Sequence, residues 1–256
     1  MNLELLPPRN RLLQSLPKED FALLRPRLEL VPLNDRRALH PPGIPFRHVY
    51  FVERGLVAVL AKVGGERAVE VWLVGREGFT GIPIVLGMAA SAHFRVIQVP
   101  GIAYRIDAAD LIQAMNEIES LRPLLLRYVH AVLVETSQSG ACNASHQLIQ
   151  RVVRWLLNAQ AKCEEETLPF SNETLARMLG VRRASVSECV GNLEREGILE
   201  KRGRVIRIAD RRRLEALACD CHRVIASEFA RIDTEHMSQR SEEKIESVNV
   251  EATPTA

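Results

Sequence analysis

Residues 174–208 read TLARMLGVRRASVSECVGNLEREGILEKRGRVIRI, and the reading of this stretch decides what kind of chain it belongs to. Two short helical patterns flank Gly180, and a basic, β-branched segment follows them. Just upstream, Ser171 offers a hydroxyl that can accept an orphan backbone amide, so a helix is expected over Asn172 to Leu179. Leu175, Met178 and Leu179 form its buried side. Gly180 permits a left-handed turn, with Val181 plugging the core at that turn. A second helix is expected from about Arg183 to Glu194, because Val186, Val190 and Leu193 recur at spacings of four and three and point inward together. Gly197 then ends the helix, Ile198 and Leu199 begin a strand, Arg202 and Gly203 make a hairpin tip, and Val205, Ile206 and Ile208 return.

This order of elements is a winged helix-turn-helix, whose second helix enters the major groove of double-stranded DNA. Its outer, N-terminal face carries Arg183, Ala184, Ser187 and Glu188, the expected base-reading residues. Arg182, Lys201, Arg202 and Arg204 lie beside them and are expected to hold phosphates, which position the module without specifying sequence. Charge distribution agrees. Between Arg182 and Arg213 ten basic residues face five acidic ones, a local net of +5 in a chain of net +2, which leaves −3 elsewhere. That asymmetry fits one nucleic-acid-facing module on an otherwise near-neutral protein.

The remaining chain supplies at least one more domain. With 256 residues, 46% apolar and 26% charged, it is long enough to bury a substantial core. Leu3 to Leu30 is leucine-rich and broken by prolines, which suggests short helices before a sheet. From Val31 to Tyr104, β-branched runs are interrupted by glycines, with Gly64-Gly65 as a hairpin signal. The expected fold class is therefore α+β, with an N-terminal antiparallel jelly-roll β-barrel. Asp110 to Ile118 is a short amphipathic helix. A longer helix starts near Pro123, since the first turn needs no amide donors. Its stripe Leu125, Val129, Val132 and Thr136 suits dimerisation. Gly140 weakens this helix, and Asn143 to Ser145 is expected to cap the next, over His146 to Ala159. The expected units are 1–122 as sensor, 123–142 as dimerisation helix, 143–230 as DNA-binding domain and 231–256 as a disordered tail.

The chain resembles the Crp/Fnr superfamily of bacterial transcription regulators over about residues 10–230. VYFVERGLVAV (49–59) is similar to the family's early barrel strands, GREGFTG (75–81) to the approach to its ligand cassette, and LARMLGVRRASVSECVGNLEREGILEKRGRVIRIAD (175–210) to its DNA-reading unit. The resemblance implies a cyclic-nucleotide-binding-type domain, a long dimerisation helix, a homodimer on palindromic promoter sites, and RNA polymerase as a partner. It also exposes departures. Ile82 stands where the family's ribose-holding glutamate follows the cassette glycine, here Gly81. No arginine matches the cyclic-phosphate position within Ser91 to His93, and Arg95 is displaced toward the next strand. A buried phosphate needs charge-assisted donors, so cyclic AMP is not expected as the signal. No cofactor is expected, and an unidentified small-molecule effector stays open. In the reading helix, Arg183 keeps the family's arginine, whose fork suits guanine O6 and N7. Ala184 replaces a glutamate and suits a thymine methyl instead, while Arg182 replaces a capping serine.

Other chemistry fits less well. Five cysteines, at 142, 163, 189, 219 and 221, are an odd set that suits a reducing cytoplasm. Cys219 and Cys221 have no second pair near them in sequence, so no metal site is expected. Cys142, near the junction of dimer helix and DNA module, is the candidate redox sensor, against the alternative of an inert packed thiol. His40, His48, Glu53 and His93 could serve a cupin-like metalloenzyme but lack a close histidine pair, and no enzyme is expected. A ligand-independent architectural DNA-binding protein remains the alternative function. No signal segment or membrane-length apolar run is read, so the expected location is the cytoplasm.

Overall fold

The computed structural model describes residues 7–34, 38–65 and 67–232. Two short helices, α1 (Arg11–Ser15) and α2 (Lys18–Leu24), precede the sheet. Strands β1 (Glu29–Leu33), β2 (Ala38–His40), β3 (His48–Lys62) and β4 (Ala68–Val74) follow, then a one-turn helix α3 (Ile82–Val85) and strand β5 (Phe94–Asp107). All strands pair antiparallel in the order β1-β5-β3-β4, with β2 against the other end of β5. The fold is α+β as expected, but the sheet is open rather than closed into a barrel.

Its two central strands are far longer than the glycine spacing suggested. Gly55 and Gly101 do not end short strands; they sit inside β3 and β5, where the register shifts on both sides of Gly55. A Cβ on Gly101 would lie 1.9 Å from the Arg54 carbonyl oxygen, and one on Gly55 would lie 2.6 Å from that of Val99. The glycines therefore allow a bulged crossing of two continuous strands. The turn at Gly64-Gly65 is as read, with both residues at positive φ.

Helix α4 (Ala108–Glu117) leads into α5 (Leu121–Ser145), which buries Leu121, Leu124, Leu125, Tyr128 and Val132 against the sheet. Gly140 does not end α5, and a side chain there would meet nothing within 4 Å. Helix α6 (Leu148–Cys163) starts two residues later than expected, at a reciprocal capping box between Gln147 and Gln150. Next come the two-residue strand β6 (Thr167–Leu168), helices α7 (Asn172–Leu179) and α8 (Arg183–Arg195), strands β7 (Leu199–Arg202) and β8 (Val205–Ile208), and α9 (Arg211–Ala216). Residues 220–232 form a last helix, α10. Arg231 and Ile232, expected in a disordered tail, belong to it, and Ile232 is buried in the sheet's core. The rest of that tail, from residue 233, lies outside the described residues.

The DNA-side helices are not a free module. Leu56, Ala58 and Leu73, on the outer face of β3 and β4, are buried with Val152, Val153, Leu156 and Met178 of α6 and α7. Covering on both faces explains why residues 56–60 read LVAVL without alternation.

Candidate nucleic-acid interface

The reading unit is built by local rules. Ser171 Oγ accepts the Thr174 amide at 3.1 Å and starts α7. Gly180 closes α7 at φ +67°, and the Val181 amide reaches back to the Ala176 carbonyl. In α8, Val186, Val190 and Leu193 are at most 1% exposed, which fixes the helix's rotation. Arg182, Arg183, Ala184 and Glu188 consequently face solvent. Arg182 occupies the N-cap position and makes no side-chain cap bond, so its guanidinium remains available to a phosphate.

Ser187 differs from the other expected base-reading residues. It is half-buried and its Oγ accepts from Asn172 Nδ2 at 3.0 Å. Its hydroxyl proton can still donate to an acceptor outside the protein, and α7 orients the side chain from behind. Sequence spacing did not show that link, because it joins two helices. In the wing, β7 and β8 pair Lys201 with Ile206 and Arg202 with Val205, and Gly203 turns the tip at φ +60°. Arg202 and Arg204 are exposed there and Lys201 is half-buried.

Cation pairing separates two groups. Arg207 is forked onto Glu200, Arg211 bonds Glu215, and Arg213 faces Glu196. Among the described residues, Arg182, Arg183, Lys201, Arg202 and Arg204 have no acidic partner within 4.0 Å. Five uncommitted positive charges on the outer helix and wing form an anion-facing surface, suited to a polyphosphate backbone.

Two expectations about other sites need correction. Leu125 and Val132 do not lie on an outward stripe: they are 0% and 4% exposed within the chain's own core. Val129 and Thr136 are half-buried, while Leu126 and Leu133 are exposed at 42% and 63%. The outward apolar line of α5 therefore runs through Leu126, Val129 and Leu133. A helix with leucines at 124, 125 and 126 presents apolar residues in several directions, and only the packing of the sheet selects one.

The second correction concerns the cysteines. Cys142 is wholly buried, and burial pushes its thiol up to about 11, but it is not solitary. Cys142, His146, Cys219 and Cys221 bring their donor atoms within 4.8 Å of one another. For the cysteines, the expectation of no metal site rested on the sequence neighbours of Cys219 and Cys221, which do not show this convergence. The available signal was Cys142-x3-His146, which places two ligands on one helical face. Cys163 is buried and its thiol is pushed up to about 12 by burial, while Cys189 is half-buried on α8 itself, against the core.

In the cassette region, Ile82 packs on the sheet's core and Ser91 Oγ accepts the His93 amide. Arg95 is 1% exposed; its guanidinium stacks 4.9 Å from the Phe46 ring centre and donates to the His93 carbonyl. The histidine and glutamate candidates are spent separately. Glu53 accepts the Arg9 and Asn10 amides, His40 meets Thr80, His48 pairs with Asp107, and His93 lies edge-on to Trp72.

A winged helix-turn-helix with an uncommitted cationic face, packed on an antiparallel sheet, is an architecture of DNA-binding regulators. Residues 150–217 match the Crp-like helix-turn-helix domain family. Similar solved structures include FixK2 of Bradyrhizobium japonicum, 17% identical with TM-score 0.65 over 75% of this chain and 98% of that one. The c-di-GMP responsive global regulator CLP of Xanthomonas campestris is 19% identical, with TM-score 0.59 over 74% and 96%. TTHA1359, a CRP/FNR-family regulator of Thermus thermophilus, is 23% identical, with TM-score 0.56 over 74% and 98%. No curated protein sequence matches the chain. Residues 150–217 are therefore a Crp-like helix-turn-helix domain, and the fold of the chain is similar to that of these solved regulators. No helix among the described residues is long and apolar enough to cross a membrane.

Proposed function

We propose that the protein regulates transcription as a homodimer on imperfect palindromes, and that cyclic AMP is not its signal. The observation that carries this reading is the pairing of one exposed reading helix per chain with an uncovered apolar line on α5. Two copies joined through Leu126, Val129 and Leu133 would present two α8 helices to successive major grooves, about 34 Å apart. Gly140, whose surroundings are open, lets two such helices approach closely.

Arg183 and Ser187 read bases, Ala184 and Glu188 shape selectivity, and Arg182, Lys201, Arg202 and Arg204 hold phosphates. RNA polymerase is the proposed protein partner at the promoter, and the cytoplasm the proposed location. Independence from cyclic AMP is supported by apolar Ile82 and by Arg95, which is turned inward onto Phe46. An isoleucine cannot accept from a ribose hydroxyl, and a stacked, buried guanidinium would have to leave its seat to meet a phosphate. A different effector has a place between sheet and α5, where Trp72, Glu135, Arg154 and Trp155 line a cavity of about 240 Å³.

Analytical ultracentrifugation with and without operator DNA tests the assembly. Two chains per duplex support it; a persistent monomer on specific DNA sinks it. Calorimetry with cyclic AMP tests the signal, and a stoichiometric heat with tighter operator binding would overturn the reading of Ile82 and Arg95. Constant DNA affinity across metabolite and redox conditions would favour the architectural alternative.

A further inference from the structure

We propose that Cys142, His146, Cys219 and Cys221 form a mononuclear, four-coordinate site for a zinc-type divalent cation, stapling the end of α5 to the start of α10. The residues come from two segments far apart in sequence. Cys142 and His146 lie one turn apart, at the last turn of α5 and the residue that caps it. Cys219 and Cys221 flank the first residue of α10, just after the winged helix. Buried cysteines alone would be an ordinary small apolar cluster. Here a half-buried imidazole also turns its Nδ1 toward Cys221 Sγ, at 3.5 Å, and Gln138 Nε2 donates to the same sulfur at 3.2 Å.

Distances favour one ion. Tetrahedral zinc, with metal–sulfur bonds of about 2.3 Å and metal–nitrogen bonds of about 2.0–2.1 Å, sets its ligands about 3.8 Å apart for sulfur pairs and about 3.5 Å for sulfur–nitrogen pairs. Cys142 Sγ and Cys219 Sγ are 3.6 Å apart, and Cys221 Sγ to His146 Nδ1 is 3.5 Å. All four donor atoms fall within 4.8 Å. A polynuclear iron–sulfur cluster holds its thiolates around several core atoms and needs them farther apart. A Cys142–Cys219 disulfide would account for two of the groups and leave the other two converging for no reason.

Binding is a proton-releasing exchange. Three thiols lose three protons to solvent, the neutral imidazole donates through Nδ1, and the divalent cation joins three thiolates to give a site of net charge −1. Gln138 then acts as an N–H donor to the Cys221 thiolate, the outer partner such sites use. The buried Arg154 guanidinium, which bonds Ser139 Oγ on the same helix as Cys142 at 2.6 Å, supplies nearby positive charge.

The staple has mechanical meaning. Helix α10 returns from the DNA-binding unit along α5, carrying Phe229 to within 6.1 Å of the Tyr128 ring and Ile232 into the sheet's core. An ion at the α5 end would fix where α10 begins and tie the winged helix to the sensor's long helix.

Full-length protein purified under reducing conditions without chelator should contain one zinc per chain by plasma mass spectrometry, released as a mercurial titrates three thiols. Cobalt replacement should give thiolate-to-metal charge transfer and intense tetrahedral visible bands. Cys142→Ser and Cys221→Ser should lose the metal, Cys163→Ser should keep it, and His146→Cys should retain a four-coordinate cobalt spectrum. Should the serine variants aggregate, the wild-type cobalt spectrum still decides. Folded wild-type protein with no bound zinc and no cobalt spectrum at stoichiometric metal overturns the proposal. So does an iron–sulfur chromophore, or a Cys142–Cys219 disulfide in the freshly purified protein.

Discussion

Lys162 Nζ lies 3.0 Å from Glu135 Oε2 with both residues buried, so an α6 ammonium and an α5 carboxylate meet inside the protein. Glu77, from the loop after β4, completes the contact at 2.9 Å, and the Leu73 carbonyl accepts a further bond. One cation thereby joins the sheet, the long helix and the DNA-binding unit. Burial works against its charge, but Glu135 and Glu77 outweigh that and hold Lys162 above its ordinary value. The benefit is fully present below the ordinary lysine range and is lost as pH rises through the raised folded value.

Replacing Lys162 by Met should therefore be costly, because it strands two buried carboxylates. A loss of about 3–5 kcal/mol is expected from urea unfolding. The triple variant Lys162→Met, Glu77→Gln, Glu135→Gln should recover most of it, since no charge is left unpaired. A single-variant loss under about 1 kcal/mol would show that the triad is not the joint between these elements.

A second prediction concerns pH. Glu70 on β4 is half-buried with its carboxyl turned in beneath α6, and burial pushes that carboxyl from 4.5 up to about 8, against the Trp155 indole bond that pulls it down. Between these values the folded state holds a proton that the unfolded state has released, so stability falls as pH rises, by about 1.4 kcal/mol per pH unit. Above the folded value the penalty is complete. Denaturation of wild type minus Glu70→Gln should show this slope between about pH 5 and 8, and a flat difference would contradict the burial assigned to Glu70.

The reading unit was legible in the sequence because its determinants are local. The Ser171 cap, the Gly180 turn and the Val186, Val190, Leu193 spacing each act within one or two turns, and the structure keeps all three. The rest depends on what packs against what. Gly55 reads as a break but is a bulge inside β3, because only the crossing with β5 explains it. The outward side of α5 could not be chosen before the sheet covered Leu125. Cys142, His146, Cys219 and Cys221, from two distant segments, meet only once α10 folds back along α5.

Arg183→Ala should relax discrimination at one base pair by about 1–3 kcal/mol. Arg202→Ala should weaken binding across most sequences and lower the salt slope by about one. Fluorescence titrations on specific and random duplexes, at several salt concentrations, separate the two roles. Equal losses on both duplexes for Arg183→Ala would remove it from base reading.

For the assembly, Leu133→Asp should leave folding intact and dissociate the dimer, since Leu133 is 63% exposed in the single chain. Leu125→Ala, at 0% exposure, should instead cost about 2–5 kcal/mol of folding stability and leave the oligomeric state unchanged. Sedimentation velocity combined with urea unfolding reads both. The opposite pattern would restore the Leu125 stripe as the interface.

Selection of bound duplexes from a random library by purified full-length protein bears most directly on sequence-specific dimeric recognition. The expected outcome is an imperfect palindrome with half-site centres about 10–10.5 base pairs apart, bound by two chains and blurred at one symmetric position by Arg183→Ala. Recovery of duplexes with no sequence enriched over the input, or of a lone half-site bound by one chain, would contradict it.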